Sequence, residues 1–266
     1  MRKLWWLLLA APMLWYACTQ ANAEHQQEQV LHASGKMPGT IAIKQTPNIS
    51  TIHTPKGFQR TPLVGHSFGS WLRQLPLRSN NTVYLFNGKP KPYQWLHHAV
   101  LDIPIGKEDL LQCADAIMYC RAAYLYNSKS KQRISFTDNK GKVYSCPTTA
   151  TQQQFQQFLR KVYSYCNSAS LARQMKPVKY AQLQPGDVLL RGGFPGHGVL
   201  IVDMCQNARG EKLYLLAQGF MPAQDIHVLK NLEDKTISPW YRLDTTASTI
   251  QTPQYLFYST EVYRFY

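Results

Sequence analysis

The last third of the chain is a succession of short apolar runs, DVLLR, HGVLIVDM, KLYLLAQGF, DIHVLK and YLFYSTEVYRF, punctuated by Gly, Pro and Asn. Runs of this length rich in Val, Ile, Leu and Tyr read as buried strands, and the brief Gly/Pro loops between them suit antiparallel neighbours. Ahead of them stand helical patterns. SFGSWLRQLPLR places Trp71, Leu72 and Leu75 on helical spacing behind Ser67 as a cap and stops at Pro76. Leu110, Ala114, Ile117, Arg121 and Tyr124 predict a helix over 107–126, with Glu108 and Asp109 in its first turn. Phe155, Phe158, Leu159, Val162 and Tyr165 mark an amphipathic helix. SLARQM is a shorter helical piece before Pro177. Helices followed by antiparallel strands predict an α+β domain. TVYLF and HHAVLDI, around Asn87-Gly88, are two further expected strands, and KQRISFTD with GKVYSC is an expected hairpin.

The two ends of the chain differ in kind. Residues 1–23 carry Arg2 and Lys3, an apolar run broken by Pro12 and a small-residue end at Ala21-Asn22-Ala23, the pattern of a secretory signal peptide. Cys18 offers an alternative processing point, which would leave a lipid-anchored protein tethered to a membrane. Residues 24–62, rich in Gln, Thr, Pro, Lys and His, read as a flexible polar arm or an arm lying on the domain, and 63–266 as a single globular domain. The expected location is therefore the periplasm or the cell envelope.

The formal charge is +14, and removing the signal leaves the chain basic. That balance suits an anionic cell-wall polymer or an envelope protein as partner. The basic residues are dispersed, without the dense runs or interleaved aromatics of a nucleic-acid binder, so no nucleic acid is expected. Beyond Cys18 five cysteines remain, an odd number that leaves at least one thiol outside any intrachain disulfide. Trp71, Trp95 and Trp240 read first as packing residues, with stacking on sugar rings as the functional alternative.

His197 opens an apolar strand behind the loop GGFPG, where glycines admit close backbone neighbours. A histidine so placed can serve as general base if a nucleophile and an orienting polar group stand beside it. The candidates are Cys113, which the periodicity places one to two turns inside the long helix, and Gln218 in the strand that follows. Buried packing is the competing role for Cys113. Gln112 and Asp115 beside the cysteine, and Gln224, Asp225 and His227 in MPAQDIHVLKN, are candidate substrate-groove residues. Asp115 and Arg121 also suit helix-surface or capping contacts. No CxxC or compact zinc spacing is present, and gathering His197, His227 and Asp203 or Asp225 matches no metal signature, so neither a metal nor another cofactor is expected.

QCADA, QPGDVLLRGGFPGHGVLIV and LLAQGF resemble, in order, the papain-like hydrolases of the NlpC type. That resemblance implies a papain-like fold, with Cys113 as thiol nucleophile, His197 as base and Gln218 as the residue orienting the ring. In that plan the cysteine opens its helix and follows Asp or Asn, where this chain has Gln112. QCADAIMYCRAAYLY, PGHGVLIVD, LLAQGFMPAQDIHVLKN and SPWYRL more closely resemble an exported bacterial family, domain of unknown function 4846, over about residues 66–266. The expected activity is exported cleavage of an amide bond in peptidoglycan. The alternatives are a non-catalytic domain of the same fold that binds cell-wall glycan or an envelope protein, and an envelope scaffolding lipoprotein.

Overall fold

The computed structural model describes residues 46–128, 134–243 and 246–266. The signal segment, Cys18 and the arm as far as 45 lie outside the described residues. The strands are β1 (Phe58–Arg60), β2 (His97–Val100), β3 (Ile134–Thr137), β4 (Val143–Cys146), β5 (Lys176–Pro177), β6 (Val188–Arg191), β7 (His197–Asn207), β8 (Lys212–Gln218), β9 (His227–Leu229), β10 (Thr249–Gln251), β11 (Leu256–Tyr258) and β12 (Val262–Arg264). The helices are α1 (Phe68–Arg73), α2 (Cys113–Asn127), α3 (Gln152–Tyr165) and α4 (Ser168–Ala172).

One antiparallel sheet runs in the order β2-β9-β8-β7-β6-β12-β5, with β1 added alongside the far half of β7. The β3–β4 and β10–β11 pairs form separate hairpins. Alternation along the central strands sends Val188, Leu190, Leu200, Leu215 and Ala217 to a core shared with the helices. Leu189, Val199, Ile201 and Leu216 go to a second core on the other face, closed by Tyr241, Ile250 and Phe257. Helix α2 lies on β7 and β8 and is surrounded by α1, α3, α4 and β3. Its residues are accordingly buried on almost every side, as expected of a helix apolar all round. The expected mixed helix and antiparallel-sheet architecture is present, with residues 46–266 in one unit.

One expectation requires correction, and the open reading of the arm is decided for residues 46–62. TVYLF forms no ladder strand: Leu85 and Lys91 pair irregularly with Lys89 and Val83, because the return limb carries Pro90 and Pro92, which have no N–H to donate. The arm is ordered from Asn48, which caps a short 3-10 turn that buries Ile49, and β1 then joins the sheet. Along β7 a register shift between Ile201 and Asp203 resets the alternation, so that His197 and Asp203 lie on different faces of the sheet.

That shift turns Asp203, fully buried, toward two cations. Arg60 of β1 and Arg73 of α1 bind its carboxylate at 2.8 and 2.6 Å, fastening the N-terminal segment and the first helix to the longest strand. Removing one member of a buried charge cluster typically costs about 3–5 kcal/mol, because the others lose their counter-charge. Asp203→Ala is expected to lower the free energy of urea unfolding by an amount in that range. Hydrogen exchange is expected to show protection lost first over residues 48–60.

Candidate active site

Helix α2 begins at Cys113, with Gln112 as its cap, not at Lys107 as the periodicity predicts. The acidic residues that suggested an earlier start are used elsewhere. Glu108 binds Arg160 of α3, and Asp109 accepts hydrogen bonds from the Ala223 N–H at 2.6 Å and from Gln112 Nε2 at 3.0 Å. Gly106 takes a left-handed φ of 80°, and the N–H groups of Leu110 and Gln112 bond two residues back, so 107–112 is a turn. Asp115 Oδ2 accepts from the Gln112 N–H at 3.0 Å and anchors the start. Cys113 therefore stands in the first helical turn, among N–H groups with no helical partner.

Two glycines let this turn reach the sheet. A Cβ on Gly198 would lie 2.5 Å from Ile117 Cδ1, and one on Gly219 would lie 2.8 Å from the Gln112 carbonyl oxygen. The Cys113 thiol consequently lies near the backbone N–H groups of Ala114 and of Gly198, the residue after His197, which favour its ionised form. Burial nevertheless dominates and raises the thiol pKa, the N–H groups only partly offsetting it.

His197 points to the opposite sheet face, against Phe220, Tyr255 and Phe257. Its Nε2 hydrogen-bonds Gln218 Oε1 at 2.8 Å. Because the amide oxygen can only accept, the ring proton sits on Nε2 and Nδ1 keeps a lone pair. Burial lowers the imidazole pKa to about 4, the bond to Gln218 opposing the shift. The imidazolium–thiolate pair expected of an activated cysteine is thus not the resting state; both partners are neutral. Cys113 is 9% exposed and His197 3%, and thiol and ring share no direct hydrogen bond. Two clefts lie away from these residues, one at the far end of β6 beside Pro185 and Phe265, the other beside His53 and His98.

Of the ordered set, His197 and Gln218 bond each other on one face of the sheet at the start of β7, and Cys113 stands at the start of α2 on the other face. The expected groove residues are placed differently. Gln112 keeps a partly exposed side chain, whereas Asp115, Gln224, Asp225 and His227 are buried. Asp225 takes the Tyr84 N–H at 2.8 Å and Arg78 at 2.9 Å. His227 Nδ1 donates to the Asp225 carbonyl at 2.7 Å. Asp225 and His227 are thus held by partners inside the protein, His227 within β9 between β2 and β8. The Asp of the PGD string is structural as well: Asp187 clamps Arg264 of β12 at 2.6 Å and caps the Gln184 N–H at 2.9 Å. The five described cysteines are free and buried. Sequence reasoning missed Lys91 and Gln254, which reach Gln218 from outside any motif. Gln218 Nε2 donates to Gln254 Oε1 at 3.0 Å, and Lys91 Nζ donates to the same oxygen at 3.1 Å.

A family model described as domain of unknown function (4846) matches residues 49–148 and 137–264. No curated protein and no solved structure matches the chain.

Burial pushes the Asp115 carboxyl up to about 8, and its Oδ1 has no hydrogen-bond partner. The folded protein therefore holds a proton there that the unfolded chain releases above the ordinary carboxylate range. The resulting penalty is absent below about pH 4 and grows as pH rises toward 8. Asp115→Asn keeps the acceptor for Gln112 and removes the ionisation. Thermal unfolding at pH 5 and pH 8 is expected to show the variant more stable than the wild type, with the larger gap at pH 8.

Proposed function

The chain belongs to the family described as domain of unknown function (4846), and we propose that it is an exported cysteine hydrolase, cleaving an amide bond in peptidoglycan with Cys113, His197 and Gln218. The observation that carries the reading is the junction of α2 with β7. A cysteine in the first helical turn has its thiol near the backbone N–H of Gly198, the residue that follows His197 in the strand, and the His197 ring, on the other face of the sheet, is held through Nε2 by Gln218. This arrangement is similar to the NlpC-type, papain-like plan, in which a helix-opening cysteine meets a histidine and an orienting residue on successive strands.

Because thiol and imidazole rest neutral, the proton moves during attack. In the resting protein Cys113 and His197 lie on opposite faces of the sheet, so the proposed step requires the imidazole to swing to the sulfur; His197 Nδ1 then takes the Cys113 proton as sulfur bonds to the amide carbon, and backbone N–H groups of the first helical turn receive the developing oxyanion. The C–N bond then breaks, the leaving amine takes the proton from His197, and a thioester remains. Water, deprotonated by the same imidazole, attacks the thioester, releasing the carboxylic acid and restoring the thiol. The near-complete burial of both groups requires surface movement before substrate enters. The exposed Phe194 and Met221, in loops beside β7 and β8, offer apolar contact at that surface, and the basic charge suits an anionic wall polymer.

The burial of Cys113 and His197, and their placement on opposite faces of the sheet, favour a second reading, a non-catalytic domain that binds cell-wall glycan or an envelope protein. Purified peptidoglycan and an electrophilic thiol probe separate the two. The hydrolase reading expects fragment release by the wild type and a loss of at least about a hundredfold in Cys113→Ala and His197→Ala. It also expects labelling of Cys113 that stays level from pH 7 to 5 and falls as pH drops through about 4, where His197 becomes protonated. Wild type that binds peptidoglycan without releasing fragments or labelling at Cys113 would leave only the binding reading.

A further inference from the structure

We infer that Lys91 and Gln254 are positioning residues that fix the tautomer of His197 by forcing the amide of Gln218 into a single orientation. The inference rests on the proposed role of His197 as base, since it concerns which ring nitrogen is free to accept a proton.

The argument follows donors and acceptors. An ammonium group only donates, and Lys91, 5% exposed, directs Nζ at Gln254 Oε1 from 3.1 Å. A second neighbour of Nζ is His227 Nε2 at 3.4 Å. That nitrogen is bare, because His227 Nδ1 spends its proton on the Asp225 carbonyl. With its oxygen held toward Lys91, Gln254 can only accept from Gln218, and it does so from Nε2 at 3.0 Å. The Gln218 oxygen then faces His197, and the ring proton must lie on Nε2, 2.8 Å away. Reversing the Gln254 amide would set its NH2 group against the Lys91 ammonium, and reversing that of Gln218 would set its oxygen against the Gln254 oxygen. An isolated glutamine has no such constraint, its two ends being nearly equal in shape.

Neither controlling residue belongs to the strands that carry the site. Lys91 comes from the loop between Val83 and Gln94, and Gln254 from the turn joining β10 to β11. That turn also brings Tyr255 against the His197 ring, with centroids 4.9 Å apart. Burial lowers the Lys91 pKa to about 8, a desolvation cost that an apolar side chain of similar length would not carry.

The test is side-chain nitrogen NMR of the 15N-labelled protein at pH 7, run beside the rate of Cys113 labelling. Wild type is expected to show His197 as one tautomer, protonated at Nε2. Lys91→Met, folded by circular dichroism, is expected to show a mixture with the Nδ1-protonated form and labelling slower by about tenfold. Adding Gln218→Glu to that variant is expected to restore the single form, because a carboxylate accepts through either oxygen. Gln254→Leu provides the same readout where Lys91→Met does not fold. A single Nε2-protonated His197 in a folded Lys91→Met or Gln254→Leu protein overturns the inference. A tautomer shift in a protein that releases no peptidoglycan fragments upholds the positioning chain and removes the hydrolase reading alone.

Discussion

The site depends on how closely the first turn of α2 approaches β7 and β8. Side chains at 198 and 219 would hold the helix off the sheet by roughly the thickness of a methyl group, and both positions are glycine. With the gap closed, the Cys113 sulfur meets the Gly198 N–H at the end of the sheet, past which His197 and Gln218 face the other way. The same approach encloses α2 between the sheet and the remaining helices. Its polar groups therefore find partners within the protein or, like Asp115 Oδ1, none. Close packing, not charge, places the thiol, which is why its pKa is raised despite the N–H groups around it.

Charge is buried where segments distant in sequence must be joined. Asp203 draws Arg60 and Arg73 together, Asp187 holds Arg264, and Asp225 holds Arg78. Each carboxylate lies on or next to the central sheet, and each guanidinium arrives from a peripheral element. Such pairs add little net energy over apolar packing, but a mispaired alternative leaves a buried charge uncompensated. They therefore select one arrangement of the N-terminal segment, the first helix and the last strand. The chain from Lys91 to His197 applies the same logic to proton positions, with donors and acceptors in place of charges.

Much of this was legible in local pattern. The amphipathic spacing of Phe155 to Tyr165 placed α3, the turn around Asn139 placed the β3–β4 hairpin, and Ser67 capped α1 as read. The order of Cys113, His197 and Gln218 also pointed to one place, because glycines flank the histidine and short loops make successive strands neighbours. The start of α2 was not legible. Glu108 and Asp109 have the composition of a first helical turn, but Arg160 and Ala223, far along the chain, claim their carboxylates. Nor could periodicity foresee the register shift before Asp203, which depends on how β7 meets β8.

What the residues settle alone is the alternation of apolar and polar positions, the turns that glycine and proline impose, and the supply of a thiol, an imidazole and an amide in order. These are properties of neighbours along the chain. Which polar groups face solvent and which are sealed inside depends on contacts across it. Gln224, Asp225 and His227 read as a polar segment suited to a groove, yet all three are buried, His227 in β9 between β2 and β8 and the other two against Tyr84, Leu85 and Arg78. Lys91 sits in an unremarkable KPKP string, yet the fold encloses its ammonium next to the Gln254 amide and His227. Burial belongs to the assembled sheet and its packed faces, and it sets both the neutral resting state of Cys113 and His197 and the direction of the hydrogen bonds between Lys91 and His197.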